Sequence, residues 1–201
     1  MVQNKSSSGR PLEFNRSKAL DEAMNLFWEK GYSAVGISEL EQKTKLNRSS
    51  LYNSFGSKED IFKNALNLYS KEIAPQMMSE LISGVNGLAD LKCFIDKLIA
   101  HLTTVSGRGC FMVNTMAATS KSQPDISKVV EFYIEGFLSA IKIVLQRAVI
   151  KKEISKKNIN TDAELLLAAV LSANLLSRAK QSNSLIKNIL YSSYNSIKNA
   201  K

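Results

Sequence analysis

Arg48, Ser49, Ser50, Tyr52 and Asn53 are packed around a single apolar residue, Leu51, with Phe55 one turn on. Guanidinium, hydroxyl and carboxamide groups at this density suit the reading of base edges and phosphates. An Arg that meets guanine with two donors discriminates by roughly 1 to 3 kcal/mol. Bond-breaking chemistry has no comparable cluster: with one His, no paired-carboxylate spacing and no nucleophile motif, the chain carries no recognisable catalytic set. The other reactive group is Cys110, which follows Arg108 and Gly109 and opens a predicted helix. The positive end of the helix dipole and the nearby guanidinium would favour its thiolate, whereas a free Cys elsewhere is most often a small buried hydrophobe. His101, the only histidine, sits at the edge of an apolar stripe, as a structural residue or a ligand contact.

The polar cluster needs a rigid mount, and the flanking residues describe one. Ile37 and Leu40 are the inward residues of a short helix over Ile37 to Thr44, with Gly36 or Ser38 as N-cap and a capping-box spacing from Ser38 to Glu41. Lys45, Leu46 and Asn47 form a turn, and Asn47 caps a second helix from Arg48 to Phe55 whose inward residues are Leu51 and Phe55. Helices this short need neighbours. One is predicted over Asn15 to Lys30, built on Ala19, Leu20, Ala23, Met24 and Phe27 with Trp28 beside them, and ended by a left-handed Gly31. Ser57 and Asp60 repeat the capping-box spacing and open a longer helix through Ile61, Phe62, Ala65, Leu66 and Tyr69.

From Pro11 to Tyr69 these residues resemble the DNA-binding domain of the TetR/AcrR family of bacterial transcription regulators. Gly31-Tyr32, Leu51-Tyr52-Asn53-Ser54-Phe55 and Ser57-Lys58-Glu59 stand where the family carries its G-Y, L-Y-x-x-F and S-K-E elements. The resemblance implies DNA contacts from Gly36, Ser38, Lys45, Arg48, Ser49, Ser50, Tyr52, Asn53 and Lys58. Tyr52 matches a position that touches backbone or a thymine methyl, and Lys58 one that binds phosphate. Two residues depart from the pattern. Lys45 replaces the turn's usual Gly, a left-handed conformation costing about 1 kcal/mol. Gly36 replaces a frequent Thr, removing a side-chain phosphate contact while keeping a backbone N–H.

Charge does not locate the DNA face. The chain is +9, yet residues 1–60 hold nine Lys or Arg against eight Asp or Glu, while residues 142–201 hold eleven against three. What counts is local: Lys43, Lys45, Arg48 and Lys58 surround the turn. Residues 1–11 read as a flexible basic tail suited to a minor groove, residues 12–56 as the helix-turn-helix domain, and residues 57–201 as a helical ligand-binding and dimerisation domain. With no extended alternating segment and only three Pro, the fold class is all-α. No export signal is visible, and the apolar run Leu165 to Leu176 is too short to span a bilayer. A cytoplasmic protein without membrane partner or metal is expected, and no cofactor is implied.

In the second domain the helix from Ser57 is expected to run to Leu81 with a bend at Pro75, and to stop at Gly84 and Gly87. Leu88 to Val105 follows, broken by Ser106-Gly107-Arg108-Gly109. After it come Cys110 to Thr119, then Pro124 to Lys151 with a stripe of Ile126, Val130, Tyr133, Phe137, Ile141, Val144 and Ala148. Phe94, Tyr69, Met78, Asn114, Tyr133 and Phe137 are candidate cavity residues, with Cys110 and His101. Cys93 lies too far along its helix to bridge Cys110. Gly109-Cys110-Phe111-Met112-Val113-Asn114-Thr115 resembles the G-C-x-x-V-N-T element of a TetR subgroup in which the Cys of some members responds to electrophiles or oxidants.

Thr161 to Lys180 has almost no polar face. It is either an internal core helix or, with Leu185 to Lys198, half of a four-helix bundle shared with a second copy. The resemblance implies the bundle, with Leu167, Val170, Leu171, Leu175, Ile189 and Tyr194 at the contact. The expectation is a homodimeric repressor of a near-palindromic double-stranded operator, released by a small-molecule or electrophile inducer. An adaptor that binds another protein through the same helices is the rival.

Overall fold

A computed structural model describes residues 9–104, 108–118, 124–155 and 158–199, with the backbone alone for 9–15. The tail residues 1–8, the expected stops at Val105, Ser106 and Gly107, and Thr119 lie outside the described residues. The chain is all-α, with no strand among the described residues, and contacts divide it into two compact units, one closing at Leu68 and one opening at Tyr69.

The first unit is four helices. α1 (Gly9–Lys30) begins before the expected Asn15 and takes in residues 9–11 of the supposed tail. Pro11 falls in its first turn, where a missing N–H breaks no helical bond. Ala19, Ala23, Met24, Phe27 and Trp28 are buried. Gly31, at φ +83°, ends the helix with its N–H on the Phe27 carbonyl at 2.8 Å. α2 (Ile37–Thr44) and α3 (Arg48–Phe55) have the predicted limits, and Leu40, Leu51 and Phe55 are buried. α4 (Lys58–Leu68) buries Ile61, Phe62, Ala65 and Leu66. Rings of Phe27, Tyr32 and Phe62 pack together, with Phe27 and Tyr32 each within 5.0 Å of Phe62.

The long helix to Leu81 is not formed as expected. Tyr69–Ile73 widens into a π-helical turn, followed by α5 (Ala74–Met77) and α6 (Ser79–Ser83), with Met78 out of helical geometry at ψ 9°. Pro75 has no N–H to return to the preceding turn, and a wider register just before it accommodates its ring.

In the second unit α7 (Leu88–Leu102), α8 (Phe111–Ala118), α9 (Pro124–Ile150), α10 (Ile159–Arg178) and α11 (Asn183–Asn199) pack together. The α9 stripe is inside as predicted, except that Tyr133 is half-buried. The Ser177 hydroxyl donates to the Leu102 carbonyl at 2.7 Å, tying α10 to α7. Arg147 donates to the carbonyls of Glu80 and Leu81 at 3.0 and 2.6 Å, closing the end of α6.

α10 is covered along one stripe only: Ala163, Leu166, Val170, Ala173 and Ser177 are buried, while Leu165 remains 61% exposed and Leu175 38%. Val170 and Tyr194, expected at a contact with a second copy, are buried within this chain. An all-apolar helix offers no polar face to mark its outward side. Leu167, Leu171 and Ile189 are half-buried. At 20 residues the folded helix is also long and apolar enough to cross a bilayer, which the shorter run Leu165 to Leu176 had hidden.

Among the described residues, three non-glycine residues sit in the left-handed region at or just beyond helix ends: Lys45 (φ 61°), Lys152 (φ 60°) and Lys180 (φ 55°). The Lys45 strain inferred from the sequence is thus present. Each lies at the C-terminal end of a helix, where the dipole favours a positive charge.

Candidate nucleic-acid interface

The first unit presents α3 on a framework of side-chain bonds. The Asn47 carboxamide oxygen accepts the Ser50 N–H at 2.8 Å. The Ser38 to Glu41 box is absent: α2 starts at Ile37 with Gly36 as N-cap, so Ser38 already lies inside the helix. Glu41 instead accepts the Arg48 N–H at 2.6 Å and so caps the next helix. The Thr44 hydroxyl donates to the Leu40 carbonyl at 2.7 Å inside the turn. At the far end, the Arg16 guanidinium donates to the Ser54 carbonyl at 3.1 Å and lies 5.3 Å from the centre of the Phe55 ring. Lys30 and Glu39 form an ion pair between α1 and α2.

The outer face carries the predicted residues. Gly36, Ser38, Lys45, Arg48, Ser49 and Asn53 are exposed, and Ser50, Tyr52 and Lys58 are half-buried. The Arg48 guanidinium rests 5.6 Å from the Tyr52 ring centre, one turn along, which limits the orientations of both. Lys58 lies with its ammonium 4.4 Å from the Tyr32 ring centre, and burial holds its pKa below the usual lysine value. The Ser57 N–H and hydroxyl both donate to Asp60, at 2.9 and 2.7 Å, and the Asp60 N–H returns a bond of 3.2 Å to the hydroxyl. These bonds to Ser57 draw the Asp60 pKa down. Exposed donors on a braced helix, flanked by Lys45 and Lys58, can meet base edges and phosphates at once.

Arg16 and Glu41 were missed by sequence reasoning. Arg16 reaches a carbonyl 38 positions away, which no local pattern encodes. Glu41 does have a local signal, an acid seven positions before a helix start, but its spacing suggested the Ser38 box instead.

In the second unit Cys110 directly precedes α8, and its carbonyl accepts the Asn114 N–H at 3.0 Å. Its sulfur accepts the Tyr69 hydroxyl at 3.4 Å and lies 3.7 Å from the Tyr133 hydroxyl. Burial, then the neighbouring Cys110, hold both phenol pKa values well above the ordinary value, so both phenols stay protonated. Phe137 is buried against Phe94, ring centres 5.8 Å apart, and closes the inner side. His101 bonds the Gly109 backbone; burial and the Arg108 charge lower its pKa. Asn114 donates to the Arg108 carbonyl at 2.7 Å, while its own carbonyl oxygen is buried without a partner. Gly109, at φ +61°, is a close approach: a Cβ there would stand 3.1 Å from the Asn174 carbonyl oxygen. Met78 is buried. A separate groove of about 350 Å³ is lined by Met116, Ser127, Val130, Glu131, Ile134 and Glu135, and by none of the expected ligand residues.

Comparison with known proteins bears on both units. The family model for bacterial regulatory proteins of the tetR family matches residues 19–65, and the one for the tetracyclin repressor-like C-terminal domain matches residues 87–191. The chain is 34% identical over 131 residues to the HTH-type transcriptional repressor ComR of Escherichia coli (strain K12), covering 63% of this chain and 61% of that repressor. It therefore spans about three fifths of that relative's length. A TetR transcriptional regulator from Chloroflexus aurantiacus J-10-FL superposes with a TM-score of 0.84 at 20% identity, over 95% of this chain and 98% of the other. A cysteine mutant of the TetR family regulator CifR, complexed with 26 bp operator DNA, gives a TM-score of 0.81 at 15% identity, over 98% and 100% of the two chains.

Proposed function

The chain belongs to the TetR family of bacterial regulatory proteins, a family of transcription regulators rather than enzymes, and on that premise we propose that it is a cytoplasmic repressor, free of membranes, that binds a near-palindromic operator as a homodimer. The observation that carries this reading is the exposed face of α3, with Arg48, Ser49 and Asn53 outward and both helix ends held. Arg48 reads a guanine. Ser49, Ser50 and Asn53 read bases or phosphates, Tyr52 meets backbone or a thymine methyl, and Gly36, Ser38, Lys45 and Lys58 meet phosphates. Repression follows the likeness to ComR, and operator binding the likeness to CifR.

The dimer is supported by the uncovered side of α10. Leu165, Leu175 and Leu185 are exposed, and Leu167, Leu171 and Ile189 are half-buried beside them. A dimer on a near-palindromic operator needs its two α3 helices about 34 to 36 Å apart, one turn of DNA. A monomeric mass at micromolar concentration rejects this arrangement.

Release is assigned to an inducer that prefers a state of the second unit in which the paired α3 helices no longer match that spacing; couplings of about 1 to 3 kcal/mol are typical. The convergence of Tyr69 and Tyr133 on Cys110 favours an electrophile, within the G-C-x-x-V-N-T subgroup. Addition of the thiol across an activated double bond forms one S–C bond and passes the thiol proton to the acceptor. Asn114, His101 and Phe137 would shape the surroundings. Unchanged induction of Cys110→Ser by quinones, aldehydes and hypochlorite eliminates the electrophile.

Genome-wide capture of bound fragments, followed by footprinting, tests the whole reading. The specific complex should weaken with salt at a log–log slope near −0.9 per phosphate contact. Arg48→Ala should lower operator affinity about tenfold to a hundredfold and non-specific affinity much less. No protected promoter would favour the protein-binding adaptor.

A further inference from the structure

An eight-residue helix has too few internal bonds to fix its own direction, and the buried Leu51 and Phe55 hold α3 by contacts that tolerate rocking. Base-edge recognition does not tolerate it. Two charged side chains from other helices supply directional bonds at opposite ends. At the start of α3 the Glu41 carboxylate takes the Arg48 N–H at 2.6 Å. At its end the Arg16 guanidinium, from α1, gives a proton to the Ser54 carbonyl at 3.1 Å and covers the Phe55 ring. The signs agree with the helix dipole: an anion at the positive end, a cation at the negative end.

We infer that Glu41 and Arg16 are positioning residues that set the aim of α3, and that Arg16 directs its charge to the protein rather than to a phosphate. The inference rests on the operator-binding reading above. It explains why a carboxylate stands beside the DNA-reading Arg48: placed at the helix start, it is engaged by a backbone N–H.

The test uses the full chain with Glu41→Ala, Arg16→Met and Arg16→Lys, titrated against the captured operator and an unrelated duplex of equal length over a range of salt. Glu41→Ala and Arg16→Met should each lose about tenfold on the operator, the size of one charge-assisted hydrogen bond. Non-specific affinity and the salt slope should stay as in the parent chain, and Arg16→Lys should fall between. Equal losses on both duplexes, with the slope flattened by about 0.9, would make Arg16 a phosphate contact and overturn its part. An operator-to-unrelated ratio within twofold of the parent's in both Glu41→Ala and Arg16→Met overturns the inference altogether. If Arg16→Met melts, Arg16→Lys and Glu41→Ala decide by the same ratio. A parent chain with no preferred duplex defeats the operator reading instead. The positioning claim is then judged by amide exchange, which should speed up about tenfold at Arg48 in Glu41→Ala; unchanged exchange there overturns it.

Discussion

The two units treat their polar groups differently. In the first, α3 and α4 both start on side-chain caps, from Asn47 and from the reciprocal Ser57–Asp60 pair, and Glu41 and Arg16 add bonds from neighbouring helices. In the second, the N-cap residues of α6, α7 and α10 make no side-chain cap bond, although the Glu153 carboxylate takes the Leu88 N–H at the start of α7 at 2.7 Å and the Ser182 hydroxyl takes the Leu185 N–H in α11 at 3.2 Å. Buried atoms without partners, Asn114 Oδ1, Arg147 Nε and Asn174 Oδ1, all fall there among the described residues. A buried polar atom without a partner carries a desolvation cost that a rearrangement bringing it a partner would relieve. The contrast matches the proposed division between a part that must aim and a part that must respond.

The contrast breaks most easily at Gly56, where φ +87° and ψ −147° suit glycine alone and a Cβ would stand 2.7 Å from Asp60 Oδ2. Gly56→Ala should cost about 2 to 3 kcal/mol in urea unfolding, because the Asp60 side chain is committed to the cap and cannot yield freely. Two amide substitutions sharpen it. Asn47→Ala removes a working cap and should cost about 1 kcal/mol. Asn174→Leu loses one bond to the Val170 carbonyl but also removes an orphaned oxygen, so it should be close to neutral. Equal losses in these two variants would erase the distinction.

His101 offers a pH-dependent version. Its folded pKa is lowered by burial, so its contribution is present above the unfolded value near about 6.5 and is lost as pH falls through the folded pKa. His101→Gln should flatten the decline of thermal stability over that acidic window, while leaving behaviour at pH 8 unchanged. The smallest effect is expected at Gly36, which is extended at φ −91° and would hold a Cβ in open space, with nothing within 4 Å of it. Gly36→Thr should gain a few tenths of a kcal/mol through a hydroxyl cap, measured by the same unfolding.

The parts of the head that were legible in the sequence are those governed by local rules. Asn47 with Ser50, Ser57 with Asp60 and the left-handed Gly31 and Lys45 each involve residues a few positions apart, and the limits of α2 and α3 followed from them. Arg16 was invisible because its partner is brought near only by folding. The π-turn at Tyr69–Ile73 escaped because Pro75 announces a disturbance but not its form. In the second unit the apolar run of α10 concealed its own orientation, and Val170, expected at a contact with a second copy, is buried within the chain. Tyr69 and Tyr133 were named as cavity residues, yet their meeting at one sulfur depends on three separate elements.

The lysines at φ 61°, 60° and 55° give the molecule an ionic dependence that a glycine-ended chain would lack. Each helix ending sets a steric penalty against the attraction between an ammonium and a carbonyl-rich terminus, and dissolved salt weakens only the attraction. As electrolyte rises, these corners should fray before the apolar interior responds.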